Sequence, residues 1–183
     1  MAACVLPACS GADAERTDFI TGILEQRAMH LQRSERSEIA AALLQAERET
    51  GVDALLLLAL AEKESHLRPR ASSHRGALGL VQIRPSTGRE VCRRNRIPWK
   101  GDASLFEPSL NLLIGATYLA ELRERFGSWD LALTAYNRGP TEAKRAAARG
   151  QSPSSRYAAR VLRRFESLRE AAGTAADRSR SAR

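Results

Sequence analysis

Asp53-Ala54-Leu55-Leu56-Leu57-Leu58-Ala59-Leu60-Ala61-Glu62-Lys63-Glu64-Ser65-His66 is the stretch whose reading decides the fold. Asp is a favoured helix N-cap, because its carboxylate accepts a bond from an amide that the first turn leaves unpaired. A helix is therefore predicted from Ala54 to about His66. Pro69, which lacks an N–H and clashes with a preceding turn, prevents its continuation. Residues three, four and seven apart share a helix face, which places Glu64 on the stripe of Leu57, Leu60 and Ala61. Glu62 is turned about 200° away and faces elsewhere. Desolvation and the negative pole of the helix dipole both disfavour the ionised form of an acid so placed. A carboxyl group still protonated near neutral pH is what a general acid needs. The same geometry suits a glutamate at the edge of the core paired with a nearby arginine, and helix geometry alone does not separate the two.

On the N-terminal side, the compact part is predicted to begin near Ser37, a good N-cap for a helix bearing Ile39, Leu43 and Ala46. Gly51 ends that helix by tolerating positive φ. Residues 12 to 37 are polar with modest helical spacing (Phe19, Ile20, Ile23, Leu24), which predicts a helix outside the core. On the C-terminal side, Ala71 to Gly79 reads as a loop or small β-turn region. Val81 to Ile83 is too short for periodicity to choose between strand and helix. Pro85 opens a helix through about Arg94, and Ile97 to Pro108 is a loop. A helix from Leu110 to Phe126 has Leu113, Ala116, Leu119 and Leu122 on one face, and another runs from Trp129 to about Tyr136 before the Gly139-Pro140 break. Ser155 to about Ala172 is amphipathic, with Ala158, Val161, Leu162, Phe165 and Leu168 inward. The expected organisation is an N-terminal extension over 1–35, a mainly α domain over 36–172 and a basic disordered tail over 173–183.

The chain has 183 residues, 43% hydrophobic and 27% charged, enough for one domain with a core that needs no disulfides. Its net charge of +8 attracts anionic partners: nucleic acid, anionic lipid or a carboxylate-bearing cell wall. No nucleic-acid motif accompanies the charge, so no nucleic-acid partner is expected. Cys4, Cys9 and Cys92 have no zinc-site spacing, His30, His66 and His74 have no ligand spacing, and no metal or cofactor is implied. No apolar run approaches the ~20 residues of a spanning helix. The opening stretch, Met1 to Cys9, is short, apolar and uncharged, in keeping with a secretion-signal remnant that lacks a positive n-region. Leu6-Pro7-Ala8-Cys9 resembles a lipoprotein cleavage box with Cys9 as the lipidated residue, which places the expected location in the periplasm or cell envelope.

Two further segments bear on Glu64. In Gly76-Ala77-Leu78-Gly79-Leu80-Val81-Gln82-Ile83 the glycines allow close backbone approach, and Gln82 offers both donor and acceptor. Ala135-Tyr136-Asn137-Arg138-Gly139-Pro140 sets a phenol and an amide at a helix end. In this order and spacing the segments resemble the Slt-type lytic transglycosylases, which have a goose-lysozyme-like fold. Glu64-Ser65 is similar to that family's Glu-Ser motif, Gly79-Leu80-Val81-Gln82 to its Gly-Leu-Met-Gln motif, and Ala135-Tyr136-Asn137-Arg138-Gly139 to its Ala-Tyr-Asn-x-Gly motif. Asn111, Gly115, Tyr118 and Leu119 look like the helix before the last motif. The resemblance covers about Ser37 to Leu168. It departs from the pattern at Val81, where a Met is usual and a smaller, stiffer sugar-facing contact is expected, and at Leu67, where an aromatic is frequent.

The resemblance implies a lysozyme-like single domain with a very small β element near the cleft, acting on peptidoglycan. Glu64 would protonate the glycosidic oxygen between MurNAc and GlcNAc, and the substrate's N-acetyl group would stabilise the developing cation. Glu64 would then take the 6-hydroxyl proton, closing a 1,6-anhydro ring. Ser65 and Gln82 would hold acetamido or peptide groups, Tyr136 would hydrogen-bond and orient Glu64, and Asn137 would line the same site. A hydrolysing glycosidase usually needs a second carboxylate; Asp102 and Glu107 are the nearest candidates. The alternatives are a lysozyme-type muramidase and a non-catalytic wall-binding module. Trp99 is expected to anchor its loop or to stack on a sugar.

Overall fold

The computed structural model describes residues 11–148 and 155–181. Its organising element is α3 (Ala54–Ser65), in which every residue from Ala54 to Ala61 is buried. A helix apolar on all sides must be enclosed by others, and here α2 (Arg33–Thr50) and α8 (Arg156–Ser181) pack against it. Asp53 accepts a 2.8 Å bond from the Leu55 amide, as the sequence predicts. The helix ends at His66 and Leu67, both in the left-handed region with φ of 53° and 60°. α4 (Pro85–Asn95), a 3-10 turn (Asp102–Phe106), α5 (Pro108–Phe126), α6 (Trp129–Arg138) and α7 (Pro140–Ala148) complete the array. α5 packs on α2 and on α6, and α8 also packs on α6. The β content among the described residues is two antiparallel bridges, Ser72 with Leu78 and Leu78 with Ile83. The molecule is mainly α with a very small β element, as expected.

Three local expectations are corrected. α2 begins at Arg33, not near Ser37, because Gln32 and Glu35 form a reciprocal capping box in which the Gln32 amide donates to Glu35 at 2.8 Å. Ser37 lies inside the helix and its hydroxyl donates to the Arg33 carbonyl. α1 (Gly11–Arg27) is not outside the core: Ile20 and Leu24 are fully buried, and the helix packs on α2 and α8. The expected break at Gly139-Pro140 does separate α6 from α7, and Ala143 of α7 is fully buried. The tail after Gly173, expected to be disordered, continues α8 to Ser181. The proposed leader, with Cys4 and Cys9, lies outside the described residues. Cys92 is buried and unpaired, and no described helix is long and apolar enough to cross a membrane.

Candidate active site

Glu64 stands one residue from the end of α3, at the wall of a cleft of about 730 Å³ that Gln82, Tyr118, Tyr136 and Asn137 also line. Burial raises its pKa above the ordinary carboxylate value, against the opposing pull of a hydrogen bond from Tyr157 and the charge of Lys63. The Tyr157 hydroxyl donates to Glu64 Oε1. Burial and the neighbouring Glu64 charge push the Tyr157 phenol well above its usual range, so it remains a donor at physiological pH. Lys63 Nζ lies 5.7 Å from the centre of the Tyr157 ring.

The wall facing Glu64 is a turn that only glycine permits. Gly79 has a φ of 79°, and a Cβ there would fall 2.2 Å from the Leu105 carbonyl oxygen and 2.3 Å from Asn111 Nδ2. Asn111, fully buried, donates to the carbonyls of Leu78 (3.0 Å) and Leu105 (2.9 Å) and accepts from the Val81 amide (2.9 Å). One amide side chain thus ties the turn to α5 and to the 3-10 turn. The Gln82 amide nitrogen donates to the carbonyls of Gly79 (2.9 Å) and Ala71 (3.2 Å), leaving its oxygen as an acceptor for a ligand.

Several sequence expectations change here. Tyr136 does not bond Glu64: its hydroxyl donates to the Val81 carbonyl at 2.8 Å, and its ring packs 5.5 Å from that of Tyr118. Tyr136 therefore braces the turn, and the orienting contact belongs to Tyr157. Val81 is fully buried, and a Cβ on Gly115 would lie 2.4 Å from its Cγ2, so it packs on α5 and does not face a sugar. Ser65 is 4% exposed and is not among the residues lining the cleft. Its hydroxyl donates to the Ala61 carbonyl and accepts from the Arg68 amide, securing the helix end. Gln82 and Asn137 do reach the cleft with Glu64.

Neither Asp102 nor Glu107 lines the cleft, and Asp102 is paired with Arg89 at 3.2 Å. The second carboxylate that does so is Glu142 of α7, held by Arg145 at 2.6 Å. Trp99 is a loop anchor: its ring would lie 2.9 Å from a Cβ on Gly88. No cluster of His, Cys, Asp or Glu suited to a metal occurs among the described residues.

Tyr157 was legible in principle. It shares an α8 face with Val161 and Leu168, four and eleven residues on, so the inward stripe carries the phenol into the core. Tyr157→Phe should retain the fold and lower any Glu64-dependent cleavage by roughly ten-fold, part of what a well-placed general acid contributes. Loss of a donor to the carboxylate raises the Glu64 pKa further, so the alkaline limb of the pH–rate profile should move to higher pH. A profile that stays in place would assign Tyr157 to packing.

Glu64, desolvated and hydrogen-bonded at the wall of a polar cleft in a helical scaffold, has the placement that a general acid needs. The family description "Transglycosylase SLT domain" matches residues 41–158, and the chain belongs to that family. It is 39% identical over 85 residues to a soluble lytic murein transglycosylase of Salmonella typhimurium, covering 45% of this chain and 13% of that protein. It is 43% identical over 76 residues to an endo-type membrane-bound lytic murein transglycosylase A of Klebsiella pneumoniae, covering 39% of this chain and 36% of that one. The chain therefore spans about a third or less of the length of such relatives. The 70 kDa soluble lytic transglycosylase of Escherichia coli superposes with a TM-score of 0.65 at 21% identity, over 90% of this chain and 31% of that structure, a likeness of fold.

Proposed function

We propose that this chain is a peptidoglycan lytic transglycosylase, cleaving the β-1,4 bond between MurNAc and GlcNAc and leaving a 1,6-anhydro-muramic acid end. The observation that carries the reading is Glu64: a carboxyl group whose protonated form burial favours, held by Tyr157 and open to a cleft large enough for sugar rings. Protonated Glu64 delivers its proton to the leaving glycosidic oxygen. The substrate's N-acetyl oxygen stabilises the cation, and the carboxylate, still gripped by Tyr157, removes the proton of the 6-hydroxyl as that oxygen closes on the anomeric carbon. The Gln82 oxygen and the exposed Asn137 amide are the groups that would receive acetamido or hydroxyl hydrogens. With peptidoglycan as its substrate, the chain belongs in the cell envelope; attachment there through Cys9 is part of the same proposal.

Hydrolysis is the second reading, favoured by one observation: Glu142 shares the cleft and could activate water. Mass spectrometry of digested, purified peptidoglycan separates the two. Anhydro-muramic ends, with cleavage surviving Glu142→Gln, are the expected result; reducing ends that vanish in Glu142→Gln would make the chain a muramidase. No cleavage at all would leave a wall-binding module.

A further inference from the structure

The wall of the cleft carries three guanidinium groups that no described residue neutralises. Arg75 comes from the turn before Gly76, Arg84 is the N-cap residue of α4 and Arg138 ends α6; all three are exposed and line the cleft with Glu64. Several arginines elsewhere hold carboxylates: Arg16 with Glu47, Arg89 with Asp102, Arg93 with Glu90 and Arg164 with Glu62. The acids sharing the cleft do not offset the three. Glu142 is held by Arg145, and burial favours the neutral form of Glu64.

The contrast sharpens along the groove. Beyond Tyr118 lies a hollow of about 590 Å³ that shares Thr87, Tyr118 and Pro140 with the cleft, so the two adjoin. There Arg94 is paired with Glu90 at 2.9 Å and with Glu121 at 2.6 Å. Arg125, the other arginine of that hollow, lies over the Phe126 ring, its guanidinium 5.5 Å from the ring centre, so three of the groove's guanidinium groups without a carboxylate line the part that holds Glu64. Concave low-dielectric walls focus such a field. A guanidinium fork matches a carboxylate in two parallel bonds, which a sugar hydroxyl cannot offer.

We infer that Arg75, Arg84 and Arg138 form a carboxylate-recognising subsite beside Glu64 that selects acidic, peptide-bearing glycan strands over neutral ones. The inference rests on the glycan-cleaving reading of the same cleft, and it names the part of the strand that the charge recognises. Three segments distant in sequence converge on one hollow, so the subsite belongs to the folded chain and not to a charged run. On such strands the carboxylates belong to the stem peptide; the lactyl carboxyl of muramic acid is tied up in the amide that attaches the peptide and becomes a free carboxylate only where the peptide has been removed.

The test reads binding, so that it stands apart from cleavage. In full-length Glu64→Gln, the triple change Arg75→Gln, Arg84→Gln, Arg138→Gln is compared with its parent. The three probes are peptide-bearing strands, strands stripped of peptide by an amidase, and a neutral N-acetylglucosamine oligomer. The parent should prefer peptide-bearing strands to the neutral oligomer, and the triple change should weaken that binding by about ten-fold at low salt, less as salt rises. A loss confined to intact strands assigns the contact to the peptide carboxylates alone; a loss on stripped strands as well shows that the subsite also takes the lactyl carboxylate that the amidase frees. The inference is overturned if the triple change leaves acidic strands bound as tightly, if it weakens the neutral oligomer equally, or if the parent shows no preference. Should the triple variant fail to fold by circular dichroism, the exposed single change Arg75→Gln is read by the same criteria, with a two- to three-fold loss expected.

Discussion

Glu64→Gln is expected to abolish glycan cleavage while leaving the chain folded and, near neutral pH, more stable than the wild type. Glutamine preserves the side-chain length and still accepts the Tyr157 hydroxyl bond, but it has no proton to deliver. The rate should fall by at least the contribution of general acid catalysis, on the order of 10² to 10⁴-fold. The stability arm follows from the direction of the pKa shift. Burial raises the Glu64 carboxyl above 4.5, so over an interval of pH the folded chain holds a proton that the unfolded chain has released. Wild-type stability therefore declines as pH rises from the unfolded value through the folded one, and a side chain that cannot ionise escapes that decline. The Gln variant should melt at a higher temperature at neutral pH, and the difference should close below the unfolded carboxylate pKa. Cleavage that persists would move the acid elsewhere, with Glu142 the next candidate in the cleft. Equal melting at neutral pH would show that the carboxylate is solvated and not strained.

What sequence revealed of the site divides by the range of the interactions concerned. The position of Glu64 followed from local geometry, because a helix of 12 residues with an Asp cap fixes which positions share a face. The tight turn at Gly79 was visible for the same reason. The partner of Glu64 was not, since Tyr136 and Tyr157 both sit on helices whose faces are known but whose rotation about Glu64 is set by packing. Tyr136 ends α6 close to the motif turn and so donates to the Val81 carbonyl; Tyr157, 93 positions from Glu64, reaches it because α8 lies against α3. Ser65 failed as a ligand contact for a local reason that the sequence held but motif comparison hid. A serine at a helix end bonds the backbone around it, and here it does so on both sides. The capping box of α2 went unseen because Gln32 is not a preferred cap, although Glu35 stands at the right spacing.

The largest effect on stability should come from the N-terminal helix, whose weak pattern suggested that it could be spared. α1 has little amphipathic signal because its polar residues interrupt the stripe, yet Ile20 and Leu24, four apart, are fully buried, and Phe19 and Ile23 pack partly against the core. Arg16 adds an ion pair to Glu47 of α2 at 3.0 Å; both groups are partly exposed, and such a pair contributes little. A chain that begins at Gln32 would lose the burial of both large side chains and leave apolar faces of α2 and α8 in water. Truncating a buried Ile or Leu to Ala typically costs about 2–5 kcal/mol, a sizeable part of the roughly 5–15 kcal/mol of a whole domain. We therefore expect Ile20→Ala and Leu24→Ala each to lower the denaturant midpoint clearly, and the chain starting at Gln32 to be unfolded or close to it at 37 °C. If the chain starting at Gln32 unfolds at the same denaturant concentration as the full chain, α1 is an appendage whose contacts add nothing. The domain would then begin at the capping box of Gln32 and Glu35.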